Sequence, residues 1–123
     1  MGDGSRKSTL VVIRHSPYGS TLGRTALDAA LAMAAFEQPV EVLFMGDGVL
    51  QLLPAQASEA IGLKSVGKLL GSLPLYEIAS AYVDADAAKR YQLDLTLTPL
   101  PCESLDRAGI RRLMTASDHL LAF

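Results

Sequence analysis

The only cysteine of this 123-residue chain, Cys102, stands in Pro99-Leu-Pro-Cys-Glu103, just ahead of a stretch with helical periodicity. A helix N-terminus lowers a thiol's pKa and can make it a nucleophile. Against that, Glu103 is adjacent and disfavours the thiolate, and no basic residue is near in sequence. A single cysteine also excludes an intrachain disulfide and any multi-cysteine metal site. The two histidines are His15 and His119. His15 falls at the end of an apolar run, where a proton shuttle or a ligand could be placed. No Ser/His/Asp order or paired carboxylate completes a catalytic set around it. His119 falls in the terminal apolar run and reads as structural. Gly19-Ser-Thr-Leu-Gly23-Arg24 precedes a helix, but matches neither G-x-G-x-x-G nor the P-loop, so a turn followed by an N-cap is the better reading.

These residues are positioned by elements that alternate along the chain. Thr9–Ile13 is a short β-branched run ending in the loop residues 14–19. Ser20 or Thr21 caps a predicted helix running to about Phe36, polar on one face at Thr21, Arg24, Thr25 and Asp28 and apolar all round beyond. A strand over 40–45 follows, then a helix from Ser58 to about Leu70 and a third strand over 78–83. Asp84 or Asp86 starts a short helix through Tyr91. The Leu/Thr alternation predicts a fourth strand over 93–100, followed by an amphipathic helix over 103–114 and a fifth strand over 118–123. Strands and helices in alternation, with strands apolar on both faces, predict a three-layer α/β/α sandwich around a five-stranded, mainly parallel sheet with right-handed crossovers. The working edge of such a sheet is the carboxyl end of its strands. Here that edge is expected to collect residues 15–19, 46–48, 84–86 and 99–102.

The segment Phe44-Met-Gly-Asp-Gly-Val-Leu-Gln-Leu-Leu53 is the most informative one. An apolar strand stops at Gly46-Asp47-Gly48, a turn in which Gly48 is expected to hold a positive φ. The run Val49, Leu50, Gln51, Leu52 and Leu53 must then be covered, either by a neighbouring helix or by another subunit. Asp47, Gly48 and this run are therefore the candidate subunit interface.

Composition narrows the functional classes. Half the residues are hydrophobic, and the mean hydropathy of +0.26 is high for a small soluble monomer. That surplus favours an oligomer. A net charge of −2 and a pI near 5.6 give no electrostatic footprint for nucleic acid. Lys89-Arg90 and Arg111-Arg112 read as solvated helix faces. No apolar run is long enough to span a bilayer, and the first residues lack the apolar core of a signal peptide. The expectation is a cytoplasmic protein with a disordered segment over 1–8 and a single domain over 9–123, binding neither metal nor cofactor.

Three segments carry a family resemblance. Pro17-Tyr-Gly-Ser-Thr-Leu-Gly-Arg-Thr-Ala-Leu-Asp-Ala-Ala-Leu-Ala32, Asp47-Gly-Val-Leu-Gln-Leu-Leu-Pro54 and Leu75-Tyr-Glu-Ile78 together resemble the DsrE/DsrF-like family of sulfur-relay proteins, in its TusC (DsrF) branch. The match runs from Leu10 to Phe123. The resemblance implies a cytoplasmic subunit that assembles with TusB-like and TusD-like paralogues as a heterohexamer. It implies sulfur received from a TusA-like donor, passed on through a TusE-like carrier, and used for 2-thiouridine at the tRNA wobble position. A related complex serves oxidative sulfur metabolism.

Members that carry sulfur have their persulfide cysteine just after strand three. The matching stretch here is Val83-Asp-Ala-Asp-Ala-Ala-Lys-Arg90, with Asp84 where the thiol would be. A carboxylate holds no sulfane sulfur. The chain also has Tyr18 where the branch frequently has His. The implied role is a structural, non-catalytic subunit of a sulfurtransferase complex. The alternatives are a homo-oligomeric sulfur carrier using Cys102, a subunit of an oxidative complex and, ranked last, a flavodoxin-type binding domain.

Overall fold

The computed structural model describes residues 8–15, 22–35, 39–52, 70–78 and 81–123. Strand β1 (Thr9–Ile13) pairs in parallel with β2 (Val40–Phe44) on one side and with β5 (His119–Ala122) on the other. Strand β3 (Ala81–Asp84) lies beside β2, and β4 (Cys102–Leu105) lies beside β3. The order β4-β3-β2-β1-β5 is parallel throughout. All five residues of β1 are buried, as a run with no polar alternation requires at the interior of a two-sided sheet.

The two faces are unequal. Val11, Ile13, Val42, Phe44, Ala81 and Val83 point to one face, covered by α1 (Leu22–Ala35), a 3-10 helix (Gly46–Leu52), a second 3-10 turn (Leu73–Tyr76) and α2 (Ala85–Arg90). Leu10, Val12 and Leu43 point to the other, where α3 (Arg107–Ala116) packs Ile110, Leu113 and Met114 upon them. Each fully buried Leu or Phe in these layers contributes roughly 1.5–3 kcal/mol. Helix α3 carries the chain from the β4 edge to the β5 edge, and so completes the third layer. The edge strand β5 is exposed along its length, with Leu120 and Leu121 on opposite faces.

Several boundaries differ from the sequence expectation. Residues 93–100 form turns rather than a strand. The Asp94 carboxylate accepts from the Thr96 amide (2.9 Å) and hydroxyl (2.6 Å), and the Thr98 hydroxyl lies 2.7 Å from the Leu100 carbonyl. Side chains that bond their own backbone offer it an alternative to a ladder. The fourth strand is Cys102–Leu105 instead. The last helix begins after Asp106, whose carboxylate caps it by accepting from the Gly109 amide at 2.7 Å. Strand β3 is described over Ala81–Asp84; Ile78, expected to open it, is not in a strand, and 79–80 lie outside the described residues. The expected helix 58–70 lies outside the described residues except for Leu70, which is helical. Of the N-terminal segment only Ser8 is described. It is held, with its amide donating to the Asp118 carboxylate at 2.8 Å.

Candidate functional site

The carboxyl edge is built around the turn that follows β2. Gly46 takes φ +51°, a left-handed conformation that glycine adopts without penalty. The Met45 amide donates to the Ile13 carbonyl (3.0 Å), which carries the chain over the end of β1. Gly48 passes so close to the same carbonyl that an added Cβ would stand 2.0 Å from its oxygen. Its φ is not positive. The positive φ expected at Gly48 is at Gly46, and Gly48 is required for close approach.

The run after the turn forms a 3-10 helix and goes inward. Val49, Gln51 and Leu52 are buried within the chain itself, Leu50 is half-buried and Asp47 is exposed. The apolar surface expected at Val49 and Leu52 is thus covered by the domain's own core, because a tight 3-10 turn points them back under the sheet's layer. Leu53 lies outside the described residues. Gln51 is the polar member of the buried set. Its amide Nε2 donates to the His15 carbonyl at 3.0 Å, and its Oε1 is buried without a hydrogen-bond partner.

Asp84 ends β3 and caps α2. Its Oδ1 accepts from the amides of Asp86 (3.1 Å) and Ala87 (3.4 Å), and its Oδ2 lies 3.5 Å from the Gly46 amide. One carboxylate therefore ties β3, α2 and the glycine turn together. A second tie runs from Tyr91 at the end of α2, whose hydroxyl donates to the Asp47 carboxylate. That bond raises the Tyr91 phenol pKa, with a lesser contribution from desolvation. Pocket walls form beside these ties: Met45, Asp84, Asp86, Arg90, Arg107 and Ile110 enclose about 240 Å³ between the ends of β2 and β3 and the first turn of α3.

The remaining chemical candidates are scattered. His15 is exposed at the end of β1, and among the described residues no side chain hydrogen-bonds its imidazole. His119 opens the exposed strand β5. Cys102 pairs in register with Ala81, at the start of β4, whereas Asp84 pairs with Leu105 at its end. The thiol therefore sits at the amino edge of the sheet, three strand positions or about 10 Å from the level of Asp84. The expectation that Cys102 precedes a helix at the carboxyl edge is overturned. It had followed from reading 93–100 as the strand. Desolvation raises the Cys102 pKa, a hydrogen bond involving Thr98 opposes it in part, and the thiol lies 3.3 Å from the Leu100 carbonyl. Tyr18 lies outside the described residues. Among the described residues no cluster of three His, Cys, Asp or Glu could hold a metal, and no helix is long and apolar enough to cross a membrane.

The arrangement defines a parallel three-layer α/β domain whose carboxyl edge, among the described residues, is tied together by the Asp84 cap and the Tyr91–Asp47 hydrogen bond. The chain belongs to the DsrE/DsrF-like family of sulfur-relay proteins, whose pattern matches residues 7–123, and to its TusC/DsrF branch. It is 34% identical over 115 residues to a protein TusC homolog of Pseudomonas aeruginosa, covering 94% of this chain and 97% of that one. In fold it is similar to the ychN protein from E. coli, with TM-score 0.75 at 17% identity over 96% of this chain and 99% of that one. A conserved protein of unknown function from Bacteroides thetaiotaomicron has TM-score 0.66 at 11% identity over 94% of each chain.

The sequence pointed to Asp84 and to the Gly46–Gly48 turn. It missed Arg107, Tyr91 and Met45 as parts of the same edge. Only Arg107 left a trace, as a third arginine close to Arg111-Arg112.

Proposed function

We propose that this protein is a non-catalytic, cytoplasmic subunit of a TusBCD/DsrEFH-like sulfur-relay complex, assembled with TusB-like and TusD-like subunits as a heterohexamer. The complex takes persulfide sulfur from a TusA-like protein and hands it to a TusE-like carrier, toward 2-thiolation of the tRNA wobble uridine. The observation that carries this reading is Asp84. Where the family resemblance would put the relay thiol this chain has a carboxylate, and its oxygens are engaged by the amides that shape the edge. A group so committed caps a helix and cannot store sulfur. Transfer then runs through a partner's cysteine. The contact with partners is proposed at the 47–53 segment through Asp47 and Leu50, with Val49, Gln51 and Leu52 fixing the turn from beneath.

Two measurements test this. A deletion strain is expected to lose 2-thiouridine from its tRNA; unchanged levels would move the protein to an oxidative sulfur pathway. In the reconstituted complex, persulfide loading is expected to add sulfur mass to a partner subunit and none to this chain. Sulfur found on Cys102 would promote the alternative of a carrier acting by itself.

A further inference from the structure

The pocket at the carboxyl edge has a composition that the structural role leaves unexplained. Its floor is apolar, made by Met45 and by Ile110, which is 8% exposed. Arg90, from the last turn of α2, and Arg107, from the first position of α3, line it as well, and both side chains are exposed. Among the described residues neither forms an ion pair with a carboxylate, although Asp84 and Asp86 line the same space. The oxygens of Asp84 face the amides of Gly46, Asp86 and Ala87 instead.

We propose that this pocket binds one carboxylate side chain, flanked by an apolar residue, from a protein partner. Each guanidinium is a planar fork of donors that matches a carboxylate with two parallel hydrogen bonds. The Met45–Ile110 floor takes the adjoining aliphatic carbons. Asp84 and Asp86 balance the two guanidinium charges, so a dianion or polyanion such as phosphate or nucleic acid is disfavoured more strongly than a single carboxylate. The volume agrees. At about 240 Å³ it is smaller than the roughly 300–1,000 Å³ of sites that enclose cofactors and drug-sized ligands, and suits a side chain presented on a surface. The proposal takes from the proposed function only that this chain docks on other proteins.

The test uses the isolated full-length chain. N-acetyl-Leu-Glu-amide, N-acetyl-Leu-Gln-amide and inorganic phosphate are titrated separately while the Met45 methyl and the arginine side-chain N–H signals are followed by NMR. The acidic peptide is expected to shift Met45, Arg90 and Arg107 together. Arg107→Gln or Arg90→Gln should weaken that binding at least ten-fold with the rest of the amide spectrum unchanged. The Gln peptide should leave all three signals in place. Equal shifts from both peptides, or tighter binding of phosphate than of the acidic peptide, overturn the proposal. So does the absence of any carboxylate-dependent shift. Carboxylate binding by the isolated chain supports the pocket even if no sulfur-relay complex assembles, so the two readings fail separately.

Discussion

Gly48 lies against Ile13 with no room between them: a Cβ on Gly48 would meet the Ile13 carbonyl oxygen at 2.0 Å and its carbon at 2.7 Å. Both are backbone atoms of the buried interior strand β1, so neither can rotate away. Gly48→Ala is expected to destabilise the domain by more than about 3 kcal/mol, above the usual range for overpacking because backbone must move. Gly46→Ala is expected to cost only about 1–2 kcal/mol, since space is open there and the penalty is its positive φ alone. Gly46→Asn should cost less still. Urea unfolding of the three variants checks the order, and a Gly48→Ala variant as stable as Gly46→Asn would refute the close-approach account.

Asp84 serves as a cap, and its replacement should read as one. Asp84→Ala is expected to lose about 1–2 kcal/mol, and Asp84→Ser should recover most of it because a hydroxyl still accepts from the α2 amides. Chemical denaturation is the assay. Equal losses in the two variants would mean that the tie to Gly46, rather than the cap, dominates.

The Tyr91 phenol titrates above the ordinary value of about 10, chiefly because its hydroxyl donates to Asp47. The folded state holds this proton more tightly than the unfolded state does. The stabilising contribution is therefore complete below the unfolded pKa and is lost as pH rises through the folded one. Asp47→Asn should bring the Tyr91 ring-carbon titration back down, and an unmoved midpoint would show that Asp47 is not its cause.

Cys102 is expected to be a slow thiol. Desolvation keeps it protonated at neutral pH, and the protonated form is a poor nucleophile. Alkylation by iodoacetamide at pH 7 should be slower in the folded protein than in urea, and should accelerate as pH rises. Cys102→Ala should leave single-turnover sulfur transfer by the reconstituted complex within about two-fold of wild type, under roughly 0.4 kcal/mol in barrier. A hundred-fold loss with assembly intact would make Cys102 a carrier.

Leu75 is 83% exposed on a turn that Glu77 closes in a left-handed conformation, with its amide donating to the Pro74 carbonyl. A large apolar side chain held outward on such a turn is suited to a protein contact. The purified chain is expected to be larger than a monomer. Leu75→Glu should shift it toward monomer in light scattering while changing stability by less than about 0.5 kcal/mol.

The sequence by itself determined the parallel α/β class, because the β-branched runs at β1 and β2 have no polar face and so demand cover on both sides. It also determined what Asp84 is not, since no placement turns a carboxylate into a sulfur carrier. Helix starts at Asp84 and Leu22 were legible within a residue or two because capping and periodicity are local. Tertiary structure decided the rest. Alternation of Leu and Thr over 93–100 marks a strand only if a neighbour supplies a ladder, and here Asp94 and Thr98 took the backbone groups first. The same shift moved Cys102 from one edge of the sheet to the other. Whether Val49 and Leu52 faced a partner or their own core depended on the path of a 3-10 turn under the sheet layer. Arg90 and Arg107, far apart in sequence, share a pocket only because β3 and β4 are neighbours and both helices start from the same edge. Such meetings are set by strand order, a property of the whole chain that no local pattern encodes.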